Sequence, residues 1–375
     1  MRRHTPLLLY LGALVWWTLF CAYHTFHIGR MPLPRSQAVA LGLTFALGLS
    51  LAAAWVALGL RLAARLLART AGGLFRGASS SEPGKTTDEP LHPLDRRWIR
   101  VCLLTLLVLA VGLYLYGRYV EPRSLVVREL SLGRPASRAV SGSRARPALQ
   151  GRPPAERAVR IAVISDLHMD GRPWTELAAT VNRTRPDLIL MLGDTLNRRR
   201  ALPALHQTLR AMRAPGGKFA VQGNWEAWYW HDLPLLEGTG FRWLRGAMTL
   251  HLHGVRVHLV GLPYRDGDHG RRAERLLSRL PRPGWRVFLY HTPDMALDVP
   301  SADLYLAGHT HGGQISLPFF GALVTLSRYG KRFERGAKRV GRTLVYTNPG
   351  IGVEPMIPLR IGVRPEVTLV KLGQP

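Results

Sequence analysis

A short motif in the last third of the chain places two histidines at a spacing that suits metal binding. The stretch Gly308-His309-Thr310-His311-Gly312-Gly313-Gln314 follows a short apolar run at 304–307. Residues two apart point to the same face of a strand, and on a glycine-bounded turn at a strand end both rings can converge on one point. Histidine is the commonest metal-binding side chain, through a neutral ring nitrogen. A lone His-x-His is weak evidence, so the interpretation depends on the residues that accompany it.

Four other apolar runs end in residues of the same chemical kind. Their β-branched and aliphatic composition predicts buried strands. The runs and the residues that follow them are 160–164 before Asp166 and His168, 186–192 before Asp194, 218–222 before Asn224, and 285–290 before His291. Open α/β sheets place their binding sites at the carboxyl ends of strands. We therefore expect these side chains to form one site.

The candidate ligands are too numerous for one ion. They are three oxygen donors and four imidazoles: Asp166, Asp194 and Asn224 with His168, His291, His309 and His311. A mixture of imidazole and carboxylate ligands favours manganese, iron or zinc over calcium or magnesium. The set suits two divalent ions that share a bridging carboxylate. Two ions about 3.5–4 Å apart can deprotonate a water molecule and hold the attacking and leaving oxygens of a phosphoryl group.

The order of these motifs resembles that of the calcineurin-like metallophosphoesterase superfamily. The family pattern is D-x-H, G-D, G-N-H-[DE], H and G-H-x-H. The corresponding residues here are 166–168, 193–194, 223–226, His291 and 308–311. The extension to Gln314 and the tail segments 348–352 and 358–367 are similar to the membrane-associated YkuE/YaeI-type branch. The resemblance covers about residues 120–373.

The resemblance implies a division of the ligands and a reaction. One ion is expected at Asp166, His168 and His311. The other is expected at Asn224, His291 and His309, with Asp194 as the bridge. Asp194, Asn224 and His309 are the residues that it implies for catalysis, in which a metal-activated hydroxide attacks phosphorus.

The resemblance also implies an α/β fold, a calcineurin-like two-sheet β-sandwich flanked by helices. The residue pattern agrees, because amphipathic stretches at 174–181, 201–212 and 271–280 alternate with the predicted strands.

One position departs from the family pattern. Trp225 follows Asn224 where the family usually has a histidine that assists the leaving group. Tryptophan has one N–H donor and no proton to transfer, whereas general acid help is worth roughly 10²–10⁴-fold. Either the enzyme is active without this acid, which we favour because the metal set is complete, or the domain is a slow hydrolase kept for binding.

Several residues are candidates for contacts with the substrate. Trp225 and Trp228, with the neighbouring Tyr229 and Trp230, could form an aromatic wall against the substrate or enter a membrane interface, or could be ordinary core packing. Arg172, Arg265 and Arg332 are candidates for holding the substrate phosphate, and the sequence does not choose among them.

The N-terminal part has the composition of a membrane region. Apolar runs lie near 7–26, 38–60 and 101–117. About 20 apolar residues are needed to cross the hydrocarbon core, so we predict three transmembrane helices. The expected parts are therefore a transmembrane region at 1–120, a lead-in strand and Arg/Pro/Gly-rich linker at 121–157, and the catalytic domain at 158–375.

Loop charges indicate an orientation for this integral membrane protein. The loop at 61–100 is rich in arginine, which favours a cytoplasmic position for it and for Met1. Three crossings then place the catalytic domain outside the cytoplasm. Arginines after the third run favour the reverse orientation: Arg118, Arg123, Arg128, Arg134 and Arg138.

Charge and cysteine content limit the classes of binding partner and metal site that this chain can have. The formal net charge is +27, and the 51 Lys and Arg residues are spread over the whole chain. Anionic lipid headgroups fit a basic, membrane-anchored domain better than nucleic acid does. The two cysteines, Cys21 and Cys102, lie in apolar runs, which excludes a disulfide framework and a cysteine metal site in the catalytic domain.

The sequence thus favours a membrane-anchored, two-metal phosphoesterase that acts on phosphodiesters or pyrophosphate-linked lipids. A membrane-tethered binding or sensor protein with weak turnover is the alternative that Trp225 motivates. A nucleic-acid-binding membrane protein is a third, less favoured interpretation.

Overall fold

A computed structural model describes residues 104–105, 107–133, 158–171, 174–264 and 269–375. The apolar runs at 7–26 and 38–60, together with Arg172 and Arg265, lie outside these ranges. Of the third run, residues 104–105 and 107–115 are helical and lead into a π-helical turn, Tyr116–Val120. We call this segment the leading helix. In the described ranges, no helix combines the length and the apolarity that a membrane span requires.

Strands make up most of the described chain. In chain order they are β1 (Val126–Leu132), β2 (Val159–Ile164), β3 (Leu188–Met191), β4 (Lys218–Ala220), β5 (Phe241–Trp243), β6 (Ala247–Leu252), β7 (Val255–Gly261), β8 (Trp285–Leu289), β9 (Leu304–Ala307), β10 (Ser316–Leu317), β11 (Gly321–Ala322), β12 (Gly336–Val340), β13 (Thr343–Thr347) and β14 (Glu366–Leu372).

The strands form two six-stranded sheets and one small hairpin. The first sheet has the order β1-β14-β2-β3-β4-β5, and the second has the order β12-β13-β9-β8-β7-β6. Strands β10 and β11 pair only with each other. The five predicted strands are confirmed as β2, β3, β4, β8 and β9, and neighbouring members of this set run parallel. Their carboxyl ends therefore lie at the same edge within each sheet.

The two sheets pack face to face over a shared core. Ile161 and Val163 of β2 point into this core with Val287 of β8 and Leu304 of β9, and all four are fully buried. The alternate residues Ala162 and Ile164 point to the opposite face of the first sheet, as the two-residue period of a strand requires. A strand buried on both faces is apolar throughout, which explains why these runs lack polar alternation.

Helices cover the two outer faces. The helices are α1 (Thr175–Arg183), α2 (Leu202–Ala211), α3 (Asn224–Trp228) and α4 (Gly270–Ser278). Helices α1 and α2 pack on the first sheet, and α4 packs on the second. The α/β architecture expected from the sequence is confirmed. The predicted amphipathic stretches at 174–181, 201–212 and 271–280 correspond to α1, α2 and α4.

Candidate metal centre

The candidate ligands follow the carboxyl ends of the five parallel strands, in tight turns with unusual backbone geometry. Asp166, His168, Asp194, His309 and His311 have φ values of 50°, 44°, 56°, 72° and 51°. Such left-handed conformations cost non-glycine residues about 1–3 kcal/mol each and concentrate at functional sites. Five of the seven candidates share this feature, so these turns adopt an energetically unfavourable backbone conformation that directs the side chains toward one another.

One group of donors consists of Asp166, His168 and His311, which we call the first cluster. The Nε2 atoms of His168 and His311 lie 3.1 Å apart, and Asp166 Oδ1 is 3.5 Å from His311 Nε2. All three side chains are buried. These atoms lie close enough together to bind a single ion.

A second group consists of Asp194, His291 and His309, which we call the second cluster. His291 Nε2 lies 3.2 Å from Asp194 Oδ2 and 3.2 Å from His309 Nδ1. Asn224 Oδ1 is 2.9 Å from the same nitrogen. The amide of Asn224 therefore adds a fourth donor to this cluster.

Asp194 lies between the two clusters. Its Oδ2 atom is 3.2 Å from His291 Nε2 in the second cluster and 3.7 Å from His168 Nε2 in the first. Its Oδ1 atom accepts a hydrogen bond of 2.9 Å from the backbone N–H of Trp225, which fixes the orientation of the carboxylate. A carboxylate in this position could be shared between ions held by the two clusters.

Hydrogen bonds to the outer ring nitrogens leave the inner nitrogens free to bind a metal. His291 Nδ1 donates to the backbone oxygen of Leu192 at 2.7 Å, because a carbonyl oxygen can only accept. His168 Nδ1 lies 2.7 Å from Asn197 Oδ1, and the Asn197 amide in turn donates to a backbone oxygen. In the neutral form of both rings the proton is held on Nδ1, so that Nε2 can present its lone pair to the cluster. Partners of this kind orient metal-binding histidines.

The protonation states also suit cation binding. Burial lowers the pKa values of His168 and His311, and burial with the nearby His291 lowers that of His309 to about 3. Burial alone would lower the pKa of His291 too, but Asp194 and Asp166 raise it to about 9. Three rings are thus neutral, and the fourth sits where the surrounding carboxylates attract positive charge. A divalent ion satisfies the same oxygen and nitrogen donors and displaces the proton.

A buried carboxylate beneath the site ties the two ligand turns together. Glu226 accepts hydrogen bonds from the backbone N–H groups of Gly223 at 2.7 Å, Asp194 at 2.8 Å and Thr195 at 2.7 Å, and from the Thr195 hydroxyl at 2.7 Å. Burial raises the pKa of Glu226. The acidic residue of the G-N-x-[DE] motif therefore holds the turns of Asp194 and Asn224 in register and contributes no ligand of its own.

Two motif glycines are required by close packing. A Cβ atom on Gly308 would lie 2.0 Å from Ser165 Oγ and 2.4 Å from Asp166 Oδ2. A Cβ atom on Gly223 would lie 2.2 Å from Asp194 Oδ1. Real Cβ atoms do not approach other atoms this closely, so the glycines allow the turns to come together around the carboxylates.

Two supporting residues were not predicted from the sequence. Asn197 orients His168, as described above. Arg360 is fully buried and lies 3.4 Å from the ring of His311, while its guanidinium donates to the backbone oxygens of Gly352 at 2.9 Å and Pro349 at 3.0 Å. Burial lowers the pKa of Arg360 to about 10, so it stays charged at neutral pH. Arg360 lies in the tail segment 358–367 that resembles the YkuE/YaeI-type branch, whereas Asn197, followed by three arginines, carries no comparable sequence signal.

An aromatic wall extends from the first cluster to the second. The Trp225 ring meets the His168 ring edge-on at 5.0 Å, and the Tyr229 ring at 5.1 Å. Trp228 contacts both Tyr229 and Tyr264, and the Tyr264 ring lies 6.1 Å from the His291 ring. Trp225 is buried, whereas Trp228 is 42% exposed. These four side chains form a wall that reaches both clusters.

Two other sequence candidates pack against neighbouring residues. The indole N–H of Trp230 donates to the backbone oxygen of Leu196 at 2.8 Å, and its ring packs on the α1–α2 side of the first sheet. Trp230 is therefore a packing residue. Arg332 is exposed and lies over the ring of Phe333.

Comparisons with known proteins agree with this geometry. The profile of the calcineurin-like phosphoesterase family matches residues 159–313. The metallophosphoesterase YkuE of Bacillus subtilis is 31% identical over 291 residues, which cover 70% of this chain and 91% of YkuE. The phosphodiesterase YaeI of Escherichia coli is 32% identical over 206 residues, or 50% of this chain and 71% of YaeI. A zebrafish transmembrane protein with a metallophosphoesterase domain is 28% identical over 59% of this chain and 55% of its own length.

The matched region contains all seven candidate ligands, and YkuE is matched over nearly its whole length. The family uses divalent metal ions, and the chemistry of the two donor clusters fits such ions. The chain belongs to the calcineurin-like metallophosphoesterases, in the branch of YkuE and YaeI, and is a metal-dependent phosphoester hydrolase.

Proposed function

We propose that this chain is a membrane-anchored, two-metal phosphodiesterase whose substrates are phosphodiesters or pyrophosphate-linked lipids. The observation that carries the proposal is the position of Asp194 Oδ2, at 3.7 Å from His168 Nε2 and 3.2 Å from His291 Nε2. A carboxylate shared in this way suits two ions better than one.

In this proposal each cluster holds one ion. Asp166, His168 and His311 hold the first. Asn224, His291 and His309 hold the second, and Asp194 bridges the two. When bound, two divalent ions supply Lewis acidity that activates water and neutralises charge on the phosphoryl group, and the identity of the metal, among manganese, iron and zinc, is open to test.

The chain's own residues orient the reaction. Leu192 and Asn197 hold the rings of His291 and His168 in the metal-binding tautomer. The aromatic wall excludes water from one side of the centre and offers apolar surface to the organic part of a phosphodiester. Trp225 cannot deliver a proton to a leaving group, so the enzyme is expected to prefer substrates with good leaving groups.

Membrane anchoring and a lipid-linked substrate rest on the N-terminal composition and on the leading helix. Apolar side chains of this helix such as Leu104, Val108 and Leu109 are 61–63% exposed. A helix that is apolar on all sides belongs in a protein core or a membrane. One relative is named a transmembrane protein, which supports the same arrangement. We assign 1–120 to the membrane region, 121–157 to the lead-in and linker, and 158–375 to catalysis.

The test uses the full chain purified in detergent. Elemental analysis should find two divalent ions per chain, and the protein should hydrolyse bis-p-nitrophenyl phosphate when supplied with manganese, iron or zinc. A reporter fused after Pro375 should be active only outside the cytoplasm, in keeping with the arginine-rich loop at 61–100. A single ion per chain, or no metal-dependent turnover, would contradict the two-metal enzyme.

A second candidate is a membrane-tethered binding or sensor protein with weak turnover. The specific observation in its favour is Trp225, whose indole lies edge-on against His168 where the family has a histidine. Full metal occupancy together with only trace hydrolysis of every ester would favour this alternative.

A further inference from the structure

The β10–β11 hairpin exposes large apolar side chains beside the metal centre. We call residues 317–326 the apolar finger. The side chain of Phe319, at its tip, is fully exposed to solvent. Soluble proteins rarely expose contiguous apolar patches without a function. The other exposed members, at 44–58%, are Leu317, Phe320, Leu323, Val324 and Leu326.

The finger is held in place at its base. The Leu323 N–H donates to the Ile315 oxygen at 3.0 Å, and the Ser316 N–H donates to the Ile361 oxygen at 2.8 Å. The Ala322 N–H donates to the Glu334 carboxylate at 3.1 Å. The apolar side chains are therefore presented from a fixed backbone.

The leading helix ends at the base of the finger. The N–H of Arg360 donates to the oxygen of Gly117 at 2.9 Å. Gly117 packs so closely on Ile361 that a Cβ atom would lie 2.7 Å from its side chain. Because Ile361 also pairs with Ser316, the apolar helix and the finger meet at one segment of chain.

Positive charges border the finger. The stretch 317–335 contains four cationic residues and one acidic residue, Glu334. Arg328, Lys331 and Arg332 are exposed. The Lys331 ammonium lies 3.0 Å from the centre of the Phe320 ring and donates to the Phe320 backbone oxygen at 2.7 Å. Apolar and aromatic side chains next to exposed cations match the boundary between acyl chains and anionic headgroups.

We propose that the apolar finger inserts into the interface of a lipid bilayer that contains anionic headgroups. Gly313, two residues after His311, packs so closely on the finger that a Cβ atom there would lie 2.8 Å from the backbone oxygen of Val324. Insertion by the 5–10 Å or so that is usual for interfacial segments therefore brings the metal centre to the headgroup level. This docking goes beyond the proposed hydrolysis and does not depend on turnover.

Charge argues for a bilayer over a second copy of the chain. The chain has a formal net charge of +27, so a second copy would bring another cationic protein against Arg328, Lys331 and Arg332. An anionic headgroup layer complements these charges. The leading helix, which meets the finger at residue 361 and exposes apolar side chains, fits the same layer.

The test is lipid-dependent quenching of a probe on the finger. The full chain, with Cys21→Ser and Cys102→Ser, carries Phe319→Cys labelled with an environment-sensitive fluorophore. A second variant carries the label at Leu323→Cys. The matched control carries it at Arg342→Cys, an exposed residue in the β12–β13 turn, at the opposite end of the second sheet from the metal centre. Each protein is reconstituted into phosphatidylcholine vesicles with or without phosphatidylglycerol, and with or without shallow doxyl-labelled lipid.

We expect a blue shift of the fluorescence and at least twofold quenching for labels at positions 319 and 323. Both effects should be stronger with phosphatidylglycerol and weaker at high salt. The label at position 342 should show neither effect. No quenching at either finger position, or equal quenching at 342, would overturn the proposal. If the label shows a blue shift that increases with protein density but is not quenched by the lipid, the finger contacts a second copy of the chain. That result would also overturn the proposal. Metal content and turnover are measured in parallel, so failure of the enzyme proposal is seen separately.

Discussion

The two donor clusters are supported in different ways. The second cluster is oriented mainly by main-chain groups, because His291 donates to the Leu192 oxygen and the Trp225 N–H donates to Asp194. The Glu226 carboxylate holds the turn that carries Asp194. The first cluster relies on side chains from elsewhere, with Asn197 behind His168 and Arg360 behind His311. Main-chain supports are present in any sequence that forms these strands. A side chain that orients a ligand ring can be lost by one substitution, so the histidines of the first cluster are expected to be more easily misoriented than His291.

Removing the bridge should abolish this difference by disabling both clusters. Asp194→Asn is expected to lose both ions and to lower turnover by on the order of 10³-fold, since the ions supply several kcal/mol of transition-state stabilisation. Elemental analysis and a diester assay measure both effects. Asp232→Asn, at an exposed carboxylate that pairs with Arg199, is the control. Two ions per chain with normal turnover in Asp194→Asn would refute the bridging role.

Crowding the first cluster should damage it selectively. In Gly308→Ala the added methyl group would meet Ser165 and Asp166, and the resulting shift of about 1 Å is expected to lower turnover roughly 10²-fold. Gly246→Ala is the matched control, because a Cβ atom there has no neighbour within 4 Å. Metal analysis should find one ion in Gly308→Ala and two in the control. If the two variants have the same turnover and metal content, the turn accommodates the added methyl group and the prediction is wrong.

Removing a side-chain support should weaken only one ion. Asn197→Ala is expected to reduce the affinity of the first cluster by about 10–100-fold, as for other partners of metal-binding histidines. Manganese titration against a chelator should then resolve one weak and one unchanged site. Asn182→Ala, which removes hydrogen bonds to Ala211 and Arg213 far from the clusters, should titrate like the parent. Weakening of both sites by Asn197→Ala would show that the clusters are not supported independently.

The smallest effect is expected at Trp225. Trp225→His should accelerate the hydrolysis of alkyl esters by no more than about tenfold, which is less than an optimised general acid contributes. The hydrolysis of nitrophenyl esters should be accelerated less. The dependence of rate on leaving-group pKa should become flatter, with metal content unchanged. If the slope does not change, or every ester becomes slower, Trp225 acts as part of the aromatic wall only.

Local chemistry made much of this site predictable from the sequence. Five apolar runs each end in a donor residue, and parallel strands bring their carboxyl ends to one edge, so candidates far apart in the chain were expected together. The family resemblance implied the α/β architecture, and the amphipathic stretches that alternate with the predicted strands agreed with it and indicated helices α1, α2 and α4. Trp225 was recognisable as a departure because the flanking motif was intact.

The residues that surround the ligands are brought there by folding and could not be identified from the sequence. No spacing connects Asn197 or Arg360 to the histidines they support, because these contacts join segments up to 49 residues apart through packing alone. Nor does composition separate Trp230, which packs in the core, from Trp228, which stands at the site. The exposure of the apolar finger is likewise a tertiary property. An apolar run predicts burial, and here the hairpin's base is fixed by residues 315, 334 and 361, which leave its tip with no protein surface to pack against in the part of the chain that the structure describes.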